Sequence, residues 1–598
     1  MKRLLFTLLL FPLTLQAQHV ESTWESINRR GRNTTTGSEP CDYYPQWFSD
    51  AKLGIFVHWG LYSVPAYAGK EGYAEWFYRG LMVKDSGRCR IMSLYADTTL
   101  PVFEQYKTLA DHWHAELWQP QEWARMFREA GARYVVLVTK HHDGYSLWDD
   151  PCQPRWNSVA SGPRRNIVEE LTEAVRAEGL KMGFYYSLPE WSNPRHIWMQ
   201  DPDTAIGDYV DNYMVPQFKD LISRYRPSLI FADGDWQNSA TDFRSAELIA
   251  WYYNLVGPDA IVNDRWGSGT QHGFRTPEYS AGISVADRPW AECRGIGRSF
   301  GLNRNEDLNN HLTATELIQH FCELVAHGGG LTLNVGPAAD GTIPLIQQER
   351  LQALGKWLEV NGEAIYESRP YMTPGGVMSP CQRTRTVAML PESSTIDFDW
   401  VRNAPLKGMP VDNFEIQWEG ITGPTPPGAG DYIIRIEGDD EVWLPLGSDT
   451  LYYNRAWAEN NNQATVHLDG NSVLYLNVRY REKDLEATVH VTWSRDGGRT
   501  FTPIYADWHG KATWERTLRC FTAKGNNLYV IEFERPGQTL TLPDIPRLPK
   551  GTAITLLGTT GTIKWKQKND GTLTLDLSTL DTKELNALDH AWVLRIQQ

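Results

Sequence analysis

From Leu53 to Asn361 the chain alternates short apolar runs with amphipathic stretches, and this alternation restricts its fold more than any other feature. The apolar runs are Leu53–Gly60, Arg133–Thr139, Lys181–Ser187, Leu229–Ala232, Ala260–Val262 and Leu331–Pro337, with Ile283–Ala286 assigned as the strand between residues 267 and 331. Runs of that length bounded by Gly, Pro and polar residues predict buried strands. Helical spacing fills the intervals. Trp123, Met126, Phe127 and Ala130 share one face of Pro120–Gly131, and Asn166 with Glu169 three residues on forms a helix start that Gly179 closes. Further helices are expected at about 207–225, 243–255, Thr313–Ala326 and 344–361. Strand followed by helix, repeated through this region, predicts an α/β architecture, a (β/α)8 TIM-like barrel.

In such a barrel the carboxyl ends of the strands carry the chemistry. Those ends read His58-Trp59, Lys140-His141-His142-Asp143, Tyr185-Tyr186, Asp233 and Asp264-Arg265-Trp266, and the segment from about 68 to 115 reads as a long loop over the mouth that carries Glu75-Trp76. Imidazoles and carboxylates bond hydroxyl groups while aromatic rings cover C–H surface, so the set suits a neutral polyhydroxylated ring. Two readings of the chemistry stand on these residues. Two carboxylates cleave a glycosidic bond, or His141, His142 and Asp143 bind a divalent metal that activates water. Adjacent histidines on a strand point to opposite faces, which weighs against the metal. No glycine-rich loop follows the first strand, so nothing points to a phosphate or dinucleotide.

At 598 residues the chain exceeds one core. Its formal charge of −15 argues against nucleic acid or an anionic membrane as partner. Lys2-Arg3, the apolar run Leu4–Leu15 and Leu15-Gln-Ala17 form a signal peptide, residues 1–17, and no later segment is long and apolar enough to insert in a membrane. An exported protein follows, periplasmic or secreted. Seven cysteines without CxxC spacing suggest neither a metal cluster nor a disulfide framework.

Past about residue 370 helical periodicity stops, and alternating runs such as Tyr432–Ile436 and Ala487–Thr492 appear between Pro- and Gly-rich turns such as Thr422–Gly430. All-β sandwich domains are expected after the barrel.

Five segments, Leu53–Gly60, Thr139–Tyr145, Asn263–Gly267, Gly295–Gly301 and Leu333–Pro337, together resemble the α-L-fucosidases of glycoside hydrolase family 29. The resemblance spans Trp47 to Tyr371. It implies a retaining exo-hydrolase acting on fucosylated glycans, with no metal and no other cofactor. Asp233 matches the nucleophile, and Asp235 is its neighbour without a catalytic role. Thr276-Pro-Glu-Tyr279 resembles the pattern that places the acid/base at Glu278, with Glu292 of Trp290-Ala-Glu-Cys293 as the alternative. His58, Glu75, Trp76, His141, His142, Tyr185 or Tyr186, Phe231 and Arg265 match substrate-binding positions.

Residues 385–508 resemble the β-sandwich module named after a toxin's protective antigen. The usual Asp-Asp-Gly reads Asp439-Asp-Glu441, which leaves sugar binding, calcium binding and a purely structural role open. Residues 511–598 resemble the C-terminal sandwich that follows this barrel, so the domain reading is leader 1–17, barrel 18–370, inserted module 385–508 and sandwich 511–598. The alternatives are an α-L-galactosidase or another exo-glycosidase on the same barrel, and a non-catalytic carbohydrate-binding protein.

Overall fold

The computed structural model describes residues 19–30, 44–70, 72–196, 204–279, 288–373, 376–377, 379–401, 403–422, 428–455, 460–471, 473–483 and 487–597. The leader, Cys41, the assigned strand Ile283–Ala286 and the middle of the 422–430 turn lie outside them. The chain forms two compact units. One holds the residues up to Pro380 with those from Cys520 onward, and the other is Cys381–Arg519.

In the first unit seven parallel strands run Leu53–Val57 (β1), Tyr134–Lys140 (β2), Lys181–Ser187 (β3), Leu229–Asp233 (β4), Ile261–Val262 (β5), Ala291–Gly295 (β6) and Gly330–Val335 (β7). Their spatial order is β5-β4-β3-β2-β1-β7-β6. Ile55 pairs with Val135 on one side and Leu333 on the other. Burial on both faces explains why these strands are nearly continuous apolar runs.

An irregular segment, residues 274–279, bridges the two edge strands. Phe274 bridges Asn263 beyond β5, while Arg275 and Glu278 bridge Trp290 and Cys293 on the β6 side, all parallel. The Phe274 amide donates to Val262 (3.0 Å) and the Cys293 amide to the Pro277 carbonyl (2.9 Å). This eighth stave closes the barrel, and Pro277, with no N–H to give, keeps it from being a regular strand. Among the described residues, a regular strand between 267 and 331 is Ala291–Gly295. Its charged residues Glu292 and Arg294 disguise it in an apolarity reading.

The connecting helices start where the sequence signals them. The Asn166 side chain accepts from the Glu169 amide, and Thr313 with Glu316 forms a reciprocal cap. The helical stretch before β4 contains a π-helical segment, Val210–Met214, directly ahead of Pro216. Widening the helix there relieves the clash a proline ring makes with the preceding turn. The 68–115 region, expected as a loop, folds into short helices including Phe77–Met82, Ser86–Met92 and Val102–Lys107. Asp85 caps one of them by accepting from the Arg88 amide (2.7 Å).

The C-terminal part of this unit is all β. Asn527–Glu532, Trp592–Gln597 and Ile554–Leu556 pair antiparallel, beside a three-stranded sheet of Thr539–Leu542, Leu573–Asp576 and Lys564–Gln567. Leu528, Val530, Leu556, Leu575 and Ile596 fill its core. It is fastened to barrel helices by Trp357 Nε1 to the Ala591 carbonyl (2.9 Å) and Gln319 Nε2 to the His590 carbonyl (2.9 Å).

The second unit is a sandwich of antiparallel sheets with Trp418, Ile434, Ile436, Val478, Val489 and Trp508 at its centre. Along Phe414–Ile421 the even positions are buried toward that centre, while the odd ones are half-buried (Glu415) or exposed. Cys381 and Cys520 are disulfide-bonded, while Cys89, Cys152, Cys293 and Cys322 are free.

Candidate active site

Asp233 ends β4, and the chain turns sharply behind it. Gly234 has φ +91°, and a Cβ there would lie 2.3 Å from Pro189 Cδ, so only glycine fits. Asp233 is 8% exposed, and its carboxylate is well supplied with donors. Tyr185 Oη donates to Oδ2 (2.8 Å) and Arg265 Nη1 to Oδ1 (3.3 Å). His142 Nε2 stands 3.5 Å from Oδ2. Burial alone would raise this carboxyl's pKa, but His142, Arg265 and Tyr185 outweigh it and hold the group below the usual carboxylate range. Asp233 is therefore ionised. Asp235 differs, since burial and the charge of Asp233 push it upward.

Arg265 joins the two carboxylates. The same Nη1 that reaches Asp233 donates to Glu278 Oε2 at 3.0 Å. The two nearest carboxylate oxygens are thus no further apart than the sum of those lengths. Tyr73 Oη donates to the other oxygen of Glu278 (2.7 Å). The guanidinium is held by Thr276, which accepts from Nε through Oγ1 (3.0 Å) and from Nη2 through its carbonyl (2.8 Å). It lies 5.5 Å from the Phe231 ring centroid, which it faces.

Glu292 is excluded from this group. In β6 Ala291 and Cys293 face the barrel interior, so Glu292 points out, where it bonds His320 of the helix Ala314–Ala326. The same alternation separates the tyrosines. Tyr185 faces Asp233, whereas Tyr186 Oη donates to Gln217 Oε1 (2.6 Å) outside the barrel and makes no part of the site.

Three histidines line the cavity beside Asp233. Asn334 donates to the Phe300 carbonyl (2.6 Å), so its Oδ1 accepts from His58 Nδ1–H (2.6 Å). Burial lowers His58 to about 3, leaving a neutral ring whose Nε2 is an acceptor. Ser187 donates to the Pro189 carbonyl and so accepts from His142 Nδ1 (2.6 Å). His141 stacks on Tyr185 (ring planes 4° apart), and burial holds it neutral. His141 Nδ1 is buried without a hydrogen-bond partner, which is where a substrate hydroxyl would bond, while His142 Nε2 has Asp233 Oδ2 beside it at 3.5 Å. Both rings share the site because β2 ends at Lys140, so the alternation expected to separate them does not apply. Asp143 instead accepts from Tyr106 Oη (2.6 Å) and the Tyr145 amide (3.2 Å), so the three residues do not converge as a ligand set.

Glu75 is 2% exposed, and its Oε2 accepts from the Gly301 amide (2.8 Å) and Ser299 Oγ (3.2 Å). Burial, only partly offset by those bonds, raises it to about 7. Trp76 next to it forms an aromatic wall with Trp191 (5.1 Å) and Trp236 (6.1 Å, stacked), and both of those rings also contact His142. Phe56, Phe231 and Phe300 give an apolar surface below. Sequence reasoning did not assign roles to Tyr73, Trp191, Trp236, Asn334 or Phe300. The signals were present, since Trp191 and Trp236 follow strand ends, while Asn334 and Phe300 lie inside quoted motifs.

In the second unit Asp439, Asp440 and Glu482 bring ligand-type oxygens within 4.8 Å of one another. Arg455 already pairs with Asp439, and burial pushes Glu482 up to about 9 with Tyr480 donating to it.

The geometry agrees with comparison to known proteins. The α-L-fucosidase family profile matches residues 16–363, the PA14 domain 383–507 and the α-L-fucosidase C-terminal domain 513–597. An α-L-fucosidase of Dictyostelium discoideum is 38% identical over 62% of this chain and 78% of its own length. The tissue α-L-fucosidase of Homo sapiens is 38% identical over 55% of this chain and 70% of its own. The solved Thermotoga maritima α-fucosidase in complex with fucose is 26% identical, with a TM-score of 0.61 covering 96% of this chain and 99% of that one. With the family profile covering the whole barrel and more than half of the chain, this protein belongs to the α-L-fucosidase family.

Proposed function

We propose that the barrel is a retaining exo-α-L-fucosidase that releases terminal α-L-fucosyl residues from glycans, with Asp233 as nucleophile and Glu278 as acid/base. The observation that carries this reading is the single Arg265 nitrogen bonded to both carboxylates, 3.3 Å from one and 3.0 Å from the other. Asp233 Oδ attacks the anomeric carbon while Glu278 gives its proton to the departing glycosidic oxygen. The resulting ester removes the charge of Asp233, and the guanidinium is then left to the Glu278 carboxylate. Glu278 takes a proton from water, whose oxygen attacks the anomeric carbon and frees Asp233. Two inversions give net retention. The unpartnered Nδ1 of His141, the His142 ring beside Asp233 and the acceptor of His58 supply hydroxyl recognition, and the Phe56, Phe231 and Phe300 surface suits the methyl group of a deoxy sugar. The leader at residues 1–17 supports export, and a mature protein beginning at Gln18 is its expected mark.

The test is hydrolysis of an aryl α-L-fucoside by wild type and by Asp233→Ala. Activity should fall on the order of 10⁴-fold or more. Azide should restore turnover and yield a fucosyl azide of inverted configuration. Full activity in Asp233→Ala, or none in wild type, overturns the assignment.

A further inference from the structure

We propose that the Lys140–Glu190 ion pair is a positioning device for the substrate-binding rim, holding His141, His142 and Trp191 in register from outside the barrel. This deepens the fucosidase reading and rests on it for its kinetic test. Both side chains are buried, at 0% and 2% exposure, with Nζ 2.7 Å from Glu190 Oε1. Lys140 also donates to Gln217 Oε1 (3.0 Å) and lies 4.2 Å from the centre of the Tyr186 ring. Gln217 in turn donates to Asp150 Oδ2 (2.6 Å), which accepts from Ser146 Oγ (2.7 Å) as well.

Position gives the pair its consequence. Lys140 is the last residue of β2, immediately before the two histidines, and Glu190 immediately precedes Trp191. Two further bonds tie the same segments together. The Trp191 amide donates to the His142 carbonyl (2.8 Å), and Ser192 Oγ to the Asp143 carbonyl (2.7 Å). Gly144 lets them close, since a Cβ there would lie 2.7 Å from Ser192 Oγ and 3.2 Å from Glu190 Oε2. Across this seam the Trp191 ring rests 4.6 Å from that of His142, which stands beside Asp233. The ion pair touches no substrate. It acts through the distance between the His142 ring and the indole wall, and a displacement of about 1 Å at such a site costs about 100-fold in rate.

An apolar replacement separates positioning from stability, because a buried ion pair exchanged for hydrophobic residues of similar volume often leaves a fold as stable as before. In the double variant Lys140→Met/Glu190→Leu, the melting midpoint should stay within a few degrees of wild type. kcat/KM for an aryl α-L-fucoside should fall about 10–100-fold, and inhibition by free fucose should weaken in step. In a His142→Ala background the same double substitution should cost no more than about twofold, because its route of action is gone. The ¹³C-histidine ring signal of His142, assigned through His142→Ala, should shift in the double variant whether or not the enzyme turns over fucosides. Wild-type kcat/KM in the double variant, additive losses with His142→Ala, or an unmoved His142 signal would each overturn the proposal. Absence of fucosidase activity in wild type would instead overturn the reading of function, and the ring signal would still judge the positioning role. If the double variant does not fold, the charge-keeping Glu190→Asp, which shortens the side chain, must show the same ring shift.

Discussion

Two polar clusters stand on opposite faces of β2 and β3, and they differ in how fully their hydrogen bonds close. Outside the barrel Lys140, Glu190, Gln217, Asp150 and Tyr186 bond one another. Inside, beside Asp233, His141 Nδ1 is buried with no partner, and His142 Nε2 reaches only Asp233 Oδ2, at 3.5 Å. A buried polar atom left open costs free energy, so the inner set persists because a ligand completes it, whereas the outer set is complete as folded. Residues one apart in sequence therefore divide into two kinds, Tyr185 with Tyr186 and Lys140 with His141. For the tyrosines the difference lies in which face of β3 each occupies, and for Lys140 and His141 in the end of β2 between them.

The sharpest way to break that comparison is at the two glutamates of the 274–295 region. Glu278→Ala should lower kcat/KM about 10²–10⁴-fold on a substrate with a poor leaving group, with turnover restored by azide as the fucosyl azide of retained configuration. Glu292→Ala should keep kcat/KM within a few-fold of wild type and lower the melting midpoint instead, because His320 loses a buried partner. Kinetics and a melt on the same two preparations decide it, and a reversed pattern would mean that the acid/base has been misplaced. The tyrosine pair should show the same division with smaller effects. Tyr185→Phe removes a hydrogen bond to a charged acceptor, an interaction of about 1.5–3 kcal/mol, and should cut kcat about 10–100-fold. Tyr186→Phe should leave kcat near wild type and cost only stability, by about 1–3 kcal/mol in denaturant unfolding.

The reason sequence reasoning reached the inner cluster but not its limits is physical. Strand ends are legible, because an apolar run must stop where the chain meets polar surroundings, and Asp233, Arg265 and the histidines all sit at such stops. Facing is legible only when the strand's extent is known. Tyr185 and Tyr186 stood together until the register of β3 against β4, Tyr185 with Phe231, set one inward. Likewise His141 and His142 were expected on opposite faces of a strand, but both lie beyond the end of β2 at Lys140. The eighth stave was not legible at all. Residues 274–279 have neither apolar periodicity nor strand propensity, and they form barrel wall only because both edges offer unpaired backbone groups. The supporting residues Asn334 and Phe300 act through a tautomer and a ring contact that linear spacing does not encode.

If the inner cluster is held open at a cost, the cost should appear as a pH dependence of stability. Glu75 is the group to test, since burial raises it from 4.5 to about 7. Between those values the unfolded chain has lost the proton and the folded protein keeps it, so the folded state binds more protons and stability must fall as pH rises. The contribution is fully present below 4.5, declines through the window and levels off above about 7. Glu75→Gln keeps a carbonyl for the Gly301 amide and carries no proton to lose, so its stability lacks this slope. Melts of both proteins should show the wild type losing ground to the variant from pH 5 to pH 7, by on the order of 1–2 kcal/mol, with a constant difference above. Because the comparison is between two proteins that share every other titrating group, only Glu75 moves it. A difference that is flat across the window would mean that Glu75 is ionised at no cost, and that the inner cluster is as well compensated as the outer one.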